Sequence, residues 1–264
     1  MKYLIVFLIM CGVAQGQYTG VLIHASRVTP QGNEVWLNES LVENLSKSAL
    51  WWPIPKGYTA TQYTFSTSMG ISDLATTATY TNSGGMRFNG SDQRMFGSYT
   101  GQITSSFMVA SWVWPLKTLA AQNDYSCWIN TYRRAPNNAT PFFLCPGNAD
   151  FIRAGFHDTA KVERSVDTPT ITGMVSNWWW VALTFDDPNN TLTIWTNGAV
   201  CTNKTGVTQT PFVTTQDLTF GVTDTSGFLS YWAGVLDDVI IYRGIDTNAL
   251  VDQYNVTKSR HVNP

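Results

Sequence analysis

The chain has 264 residues, of which 44% are hydrophobic, and a formal net charge of −2. This hydrophobic fraction is sufficient for a core that does not depend on disulfide bonds. Because no basic patch of lysine and arginine is present, the sequence lacks the electrostatic signature of proteins that bind nucleic acid or anionic membranes. We therefore expect neither nucleic acid nor an acidic lipid surface as a partner.

Residues 1–16 have the pattern of a cleaved signal peptide. Lys2 supplies the positive charge, residues 3–13 are apolar, and Ala14-Gln15-Gly16 provides the small residues of a cleavage site. We predict cleavage before Gln17 and a secreted, extracellular product. The apolar run is too short for a bilayer-spanning helix and no second run follows, so no membrane span is expected.

Seven Asn-x-Ser/Thr sequences follow the predicted signal peptide, and in a eukaryotic secretory pathway this density predicts a glycoprotein. The candidate asparagines are Asn38, Asn44, Asn89, Asn138, Asn189, Asn203 and Asn255.

The mature chain would contain three cysteines, which cannot all pair within one molecule. Cys127 and Cys145 are close in sequence, and a disulfide between them would join two neighbouring strands across the loop at 130–141. Cys201 would then remain. It is either a buried free thiol or the site of an intermolecular disulfide that forms a homo-oligomer.

Short predicted strands separated by turn signals fill most of the mature chain. Residues 17–46 form an N-terminal lead-in segment, the strand-rich domain extends over 47–258, and residues 259–264 form a C-terminal tail. This organisation predicts an all-β fold in which two antiparallel sheets form a jelly-roll sandwich.

The strand predicted over 106–115 has two apolar faces, which indicates a position near the middle of a sheet. The alternation places Phe107, Val109, Ser111 and Val113 on one face and Met108, Ala110, Trp112 and Trp114 on the other. Residues 178–185 and 190–196 predict a hairpin, and Asn197-Gly198 predicts a tight turn into the strand that follows.

The strand predicted over 234–242 carries two acidic residues, Asp237 and Asp238, directly before its most apolar part. Two adjacent carboxylates are rare there unless one faces water and the other meets a cation or a hydrogen-bond donor. Asp246 then provides the N-cap of a short helix predicted over 246–254.

Three segments, in the same order, resemble the laminin-G-like, concanavalin A-like jelly-roll family. Residues 86–115 resemble its Phe-Asp-Gly turn and the strand that follows, 178–198 its Trp-x-x-Val-Ala hairpin, and 234–242 its closing Asp-Asp strand. The resemblance covers about residues 49–258. It implies two stacked antiparallel sheets and a structural calcium ion. Asp237 matches the aspartate that commonly helps to hold this ion in the family.

The calcium prediction has an alternative. The family usually offers an Asp-x-Ser-Gly segment after its opening strand, whereas residues 63–70 contain no carboxylate. Asp237 would then only accept hydrogen bonds from a neighbouring loop. No other cofactor is predicted.

Enzymes, lectins and adhesion modules share this sandwich, so the chemistry must come from specific residues. A retaining glycosidase needs two carboxylates about 5 Å apart, and the family's Glu-x-Asp-x-x-Glu strand is not present. His24, His157 and His261 are isolated in sequence, which favours neither a lyase base nor a metal-ligand pattern. We therefore predict no enzymatic activity, with a glycoside hydrolase or polysaccharide lyase as the least favoured alternatives.

The tryptophans provide the positive indication of binding, because flat aromatic rings can stack on sugars. Trp114 and Trp180 are predicted to lie on one face of two strands and are the predicted ligand-binding residues, with core packing as the alternative. We predict a secreted, non-catalytic module that binds carbohydrate or glycoprotein. The alternative is a structural or adhesive extracellular or coat glycoprotein that self-associates, with Cys201 as the linking residue.

Overall fold

The structure, a computed structural model, describes residues 86–97, 103–122, 126–131, 139–214, 217–225 and 228–261, together with four short strands before residue 81. The predicted signal peptide and the lead-in segment, 17–46, lie outside the described residues. The described part is a sandwich of two antiparallel sheets with one short α-helix, as the sequence predicted.

The described residues form eighteen strands. Their bounds are β1 Leu50–Trp52, β2 Gln62–Tyr63, β3 Leu74–Thr76, β4 Thr79–Tyr80, β5 Met86–Asn89, β6 Met95–Gly97, β7 Phe107–Pro115, β8 Ile129–Thr131, β9 Phe143–Pro146, β10 Ile152–His157, β11 Glu163–Asp167, β12 Trp179–Asp186, β13 Thr191–Thr196, β14 Ala199–Lys204, β15 Leu218–Phe220, β16 Val222–Thr225, β17 Phe228–Tyr231 and β18 Ala233–Arg243. Helix α1, Thr247–Thr257, follows β18, and short 3₁₀ turns occupy Leu119–Ala121 and Lys258–Arg260.

Strand β18 lies in the middle of the first sheet, which we call sheet A. The order of sheet A is β14-β13-β12-β7-β18-β5-β4, and β1 also pairs with β18. The second sheet, sheet B, has the order β11-β10-β9-β8-β15-β6-β3-β2, and β16 and β17 form a separate hairpin. Strand β7 lies between β12 and β18, which confirms the predicted central position of residues 106–115.

The core between the two sheets is rich in phenylalanine. Phe107 of β7 is fully buried, and its ring centroid lies 6.2 Å from that of Phe156 in sheet B and 6.0 Å from that of Phe185 in β12. Val109 and Val113 enter the same core, so the predicted alternation of β7 is correct. Burying such side chains contributes roughly 1.5–3 kcal/mol each relative to leaving them exposed.

Cys127 and Cys145 form a disulfide in the structure, the pairing proposed from their spacing. Both are buried and pack with Phe143 of β9, and Arg153 of β10 is the register partner of Cys145. Cys201 of β14 is a free, partly exposed thiol.

The predicted hairpin and its following turn are present as β12, β13 and β14. Asn197 and Gly198 have φ values of 49° and 81°, the left-handed geometry that favours Asn-Gly in two-residue turns. A side chain at Gly198 would overlap the ring of Tyr254, because helix α1 packs directly against this turn. Among the described residues, the one α-helix is shorter than a bilayer crossing requires.

The turn that joins β10 to β11 is organised by the buried carboxylate of Asp158. One oxygen accepts the backbone N–H groups of Ala160 and Val162, each at 2.9 Å, and the other accepts Nε and Nη2 of Arg164. Burial raises the pKa of Asp158, but the hydrogen bonds from Val162 and Arg164 outweigh it and hold this pKa below its ordinary value of 3.8. The ionised carboxylate therefore stabilises the folded state.

Replacing Asp158 by Asn should lower the free energy of unfolding by about 1–3 kcal/mol at pH 7, because it removes the charge of a buried carboxylate that accepts hydrogen bonds from two backbone N–H groups and from Arg164. Since the folded-state pKa lies below the unfolded one, this contribution is complete above roughly pH 5 and is lost as the pH falls through the folded value. Urea unfolding at several pH values should show that the free energies of unfolding of the variant and the wild type approach each other as the pH falls.

The matched control is Asp167→Asn, because Asp167 also pairs with an arginine, Arg153, but both side chains are substantially exposed. This change should alter the free energy of unfolding by less than about 1 kcal/mol. If the free energies of unfolding of Asp158→Asn and wild type differ by the same amount at every pH, the ionised carboxylate does not stabilise the folded state as proposed.

Candidate functional site

The outer face of sheet A is apolar and is covered by helix α1. We call it the helix-covered face. Its buried side chains come from β7, from β12 and the residue before it, from β18 and from the helix, and are Met108, Ala110, Trp112, Trp178, Trp180, Ala182, Val235, Ile240 and Leu250. Trp114, Trp195, Ile245 and Tyr254 are partly buried at its border.

Hydrogen bonds to two buried indoles hold α1 on this face. Trp180 Nε1 donates to Gln253 Oε1 at 3.0 Å, and Gln253 Nε2 donates to the carbonyl oxygen of Asp238 at 2.9 Å. Trp112 Nε1 donates to Thr257 Oγ1 at 2.8 Å. Because an indole N–H is costly to bury unpaired, the helix supplies the acceptors that let both tryptophans stay buried.

The two predicted ligand-binding tryptophans have different environments. Trp180 is 0% exposed beneath α1, so a sugar cannot reach its ring in this arrangement and the ring belongs to the core. The prediction for Trp180 did not include a helix that returns over this face. Trp114 is partly exposed at the border, with its ring 5.3 Å from that of Trp178 in an edge-on arrangement. Trp114 therefore remains a candidate ligand contact.

Asp237, Asp238 and His261 form a buried polar cluster beside the helix-covered face. Their exposed fractions are 5%, 0% and 5%. His261 Nε2 lies 3.1 Å from Asp237 Oδ2 and 4.0 Å from Asp238 Oδ2. The imidazole stacks on Trp112, with ring centroids 4.3 Å apart, and meets Trp178 edge-on at 4.7 Å.

A β-bulge brings both carboxylates to the same imidazole. The register of β18 against β7 shifts between Asp237 and Ile240, and Asp238 has a φ of 45°. In a regular strand, successive side chains point to opposite faces of the sheet. The extra residue of the bulge changes the direction of one side chain, so both carboxylates reach His261.

The predicted calcium ion at Asp237 is poorly matched by these donors. Calcium takes six to eight oxygen ligands, whereas Asp237 Oδ2 lies 3.1 Å from a nitrogen, Nε2 of His261. The other oxygen of Asp237 accepts the backbone N–H of Asp238 at 2.8 Å. Calcium binding at Asp237 stays a prediction.

The sequence analysis did not identify His261 as part of this cluster, because it lies 24 residues beyond Asp237 in the predicted C-terminal tail. The available signal was the helix predicted directly after the strand. A helix that follows a strand closely can run back along the same sheet, and the eleven residues of α1 return the chain to the middle of β18, where His261 meets Asp237.

Four of the seven predicted glycosylation sites lie among the described residues, and all four asparagines are exposed. They are Asn89, Asn189, Asn203 and Asn255. Asn38, Asn44 and Asn138 lie outside the described residues. Glycosylation stays a prediction.

Sequence comparison identifies the family. Residues 88–249, more than half of the chain, match the laminin G family of the concanavalin A-like lectin/glucanases superfamily. The chain therefore belongs to this family, as the three sequence segments suggested. No curated protein matches the sequence significantly.

Several solved structures share the fold. The botulinum neurotoxin serotype D ligand binding domain in complex with N-acetylneuraminic acid has a TM-score of 0.62 and 12% identity, covering 82% of this chain and 52% of its own. The serotype G binding domain has a TM-score of 0.56 and 15% identity, covering 80% of this chain and 51% of its own. This chain thus spans about half of each of these structures, and identities this low show the fold alone.

Replacing Gln253 by Ala should loosen α1, because it removes the acceptor of Trp180 Nε1 and the donor to the Asp238 carbonyl. We expect a loss of about 1–3 kcal/mol in the free energy of unfolding and faster hydrogen–deuterium exchange in α1, measured by mass spectrometry. Asn248→Ala is the control, since Asn248 is exposed on the same helix. Equal effects of the two changes would contradict the docking role of Gln253.

Proposed function

We propose that the chain is a secreted, non-catalytic module that binds carbohydrate or glycoprotein. The observation that carries this proposal is the fold, which the chain shares with toxin binding domains, one of them in complex with N-acetylneuraminic acid. The superfamily also contains glucanases. The structural neighbours described above are binding domains, which favours binding over catalysis for this chain.

The proposed contact surface lies around Trp114, at the open border of the helix-covered face. The loop at 171–177 adjoins this end of β7, where the N–H of Ser176 donates to the carbonyl oxygen of Pro115 at 2.9 Å. Thr172 and Ser176 are exposed in this loop. A partly exposed aromatic ring near a loop with exposed hydroxyl groups offers a stacking surface and hydrogen-bonding groups of the kind that a sugar site needs.

A glycan array that includes sialylated glycans, with and without EDTA, tests this proposal. Replacing Trp114 by Ala should weaken the binding of any recognised glycan roughly tenfold or more, because the stacking surface is lost. Val200→Ala serves as the control, because Val200 is 51% exposed on the edge strand β14. Circular dichroism checks that both variants fold. Absence of glycan binding at every calcium concentration, or binding unaffected by Trp114→Ala, would contradict the proposal.

Self-association as a structural or adhesive glycoprotein is the second candidate, and the edge of sheet A favours it. Among the described strands, β14 pairs with β13 alone, so its other edge is open. Open strand edges can pair with another chain. The free thiol of Cys201 lies in this strand and is partly exposed, so a second copy is the partner that we propose for it.

Light scattering and non-reducing gels test the second candidate. The wild-type chain should migrate as a disulfide-linked dimer that reductant and Cys201→Ser both convert to monomer. The Cys127–Cys145 disulfide lies within one chain, so its reduction does not change the mass. A wild-type chain that is monomeric with and without reductant would contradict the intermolecular disulfide.

A further inference from the structure

We propose that Asp237, Asp238 and His261 bind a divalent transition metal, with zinc as the preferred ion. Each residue offers one donor atom, and these atoms all lie within 4.8 Å of one another. Ligands at 2.0–2.2 Å from a single zinc ion are separated from each other by roughly 3–4 Å. The distances of 3.1 Å and 4.0 Å from His261 Nε2 to the two carboxylates match this spacing.

The orientation of His261 supports a metal-ligand role. Its Nδ1 lies 3.0 Å from the carbonyl oxygen of Thr257, which can only accept, so Nδ1 carries a proton. Nε2 is then the ring nitrogen that faces the two carboxyl groups, and it is the atom that would bind a metal ion placed between them. A histidine that donates from one nitrogen to a backbone carbonyl and binds with the other is the usual arrangement at metal centres.

Donor chemistry favours zinc over calcium and magnesium. Two carboxyl groups and one imidazole meet at a buried point, and a borderline divalent cation binds both kinds of donor. Calcium and magnesium prefer oxygen donors, whereas zinc accepts carboxylate and imidazole together. The proposal therefore replaces the oxygen-only calcium site with a site of two carboxylates and one nitrogen.

The neighbouring tryptophan rings hold the proposed site rigid, and the site joins two separate parts of the chain. The ring of His261 is held between Trp112 and Trp178, which fixes the direction of Nε2. Such support by neighbouring groups is what orients metal ligands. Because Asp237 and Asp238 belong to β18 and His261 follows α1, a bound ion fastens the end of the chain's helical segment to the centre of sheet A.

Metal binding is measured on the full chain without a polyhistidine tag, after treatment with a chelator. Titration with zinc should show one ion per chain in calorimetry. At a hundredfold excess of zinc over its dissociation constant, the melting temperature should rise by roughly 5–10 °C. X-ray absorption at the zinc edge should show one imidazole ligand, and this measurement needs no variant.

Asp237→Asn and His261→Gln should each weaken zinc binding on the order of a hundredfold or more, because each removes a ligand. The controls are Asp167→Asn, an exposed aspartate of sheet B, and His157→Gln, a buried histidine of the same sheet, and both should retain binding.

Three results would overturn the proposal. They are zinc binding unaffected by both ligand variants, an absorption spectrum without an imidazole ligand, and a melting temperature that calcium raises while zinc does not. If the ligand variants fail to fold, the absorption spectrum of the wild-type chain decides.

Discussion

Strand β18 determines how the two halves of sheet A are arranged. It pairs with β7 along one edge and with β5 and β1 along the other. Its bulge at Asp237 and Asp238 changes side-chain directions at the middle of the sheet, and α1 begins four residues after β18 ends. The position of the helix over the outer face, the burial of the indoles and the position of His261 all depend on this strand.

The features that the sequence predicted correctly are local. The two faces of β7 follow from alternation, because each face packs against a different apolar layer. The turn at Asn197-Gly198 follows from residues that tolerate left-handed backbone. The N-cap of α1 is as predicted, since Asp246 Oδ1 accepts the N–H of Ala249 at 2.9 Å. Each of these features is determined by neighbours within a few positions of the chain.

The features that could not be predicted from the sequence depend on contacts between residues far apart in the chain. Trp180 and Gln253 are 73 residues apart, and alternation alone cannot show that a helix covers the ring. An aromatic residue on the outer face of a sheet fits the same sequence alternation whether its ring contacts solvent, a sugar or a helix. The cluster at Asp237 was incomplete for the same reason, because its imidazole comes from beyond the helix. Trp114 stays partly exposed because it lies at the border of the helix-covered face.

The central position of β18 also has a consequence for biosynthesis. Ribosomes deliver β5, β7 and β12–β14 before β18, and within the described strands the β4–β5 pair is joined to the β7–β12 group of sheet A only through β18. Until that strand emerges, the nascent chain presents two sheet fragments with open apolar edges. Such partly assembled species are prone to aggregation and are the usual clients of chaperones. Sheet A can therefore be completed only after β18 has been synthesised.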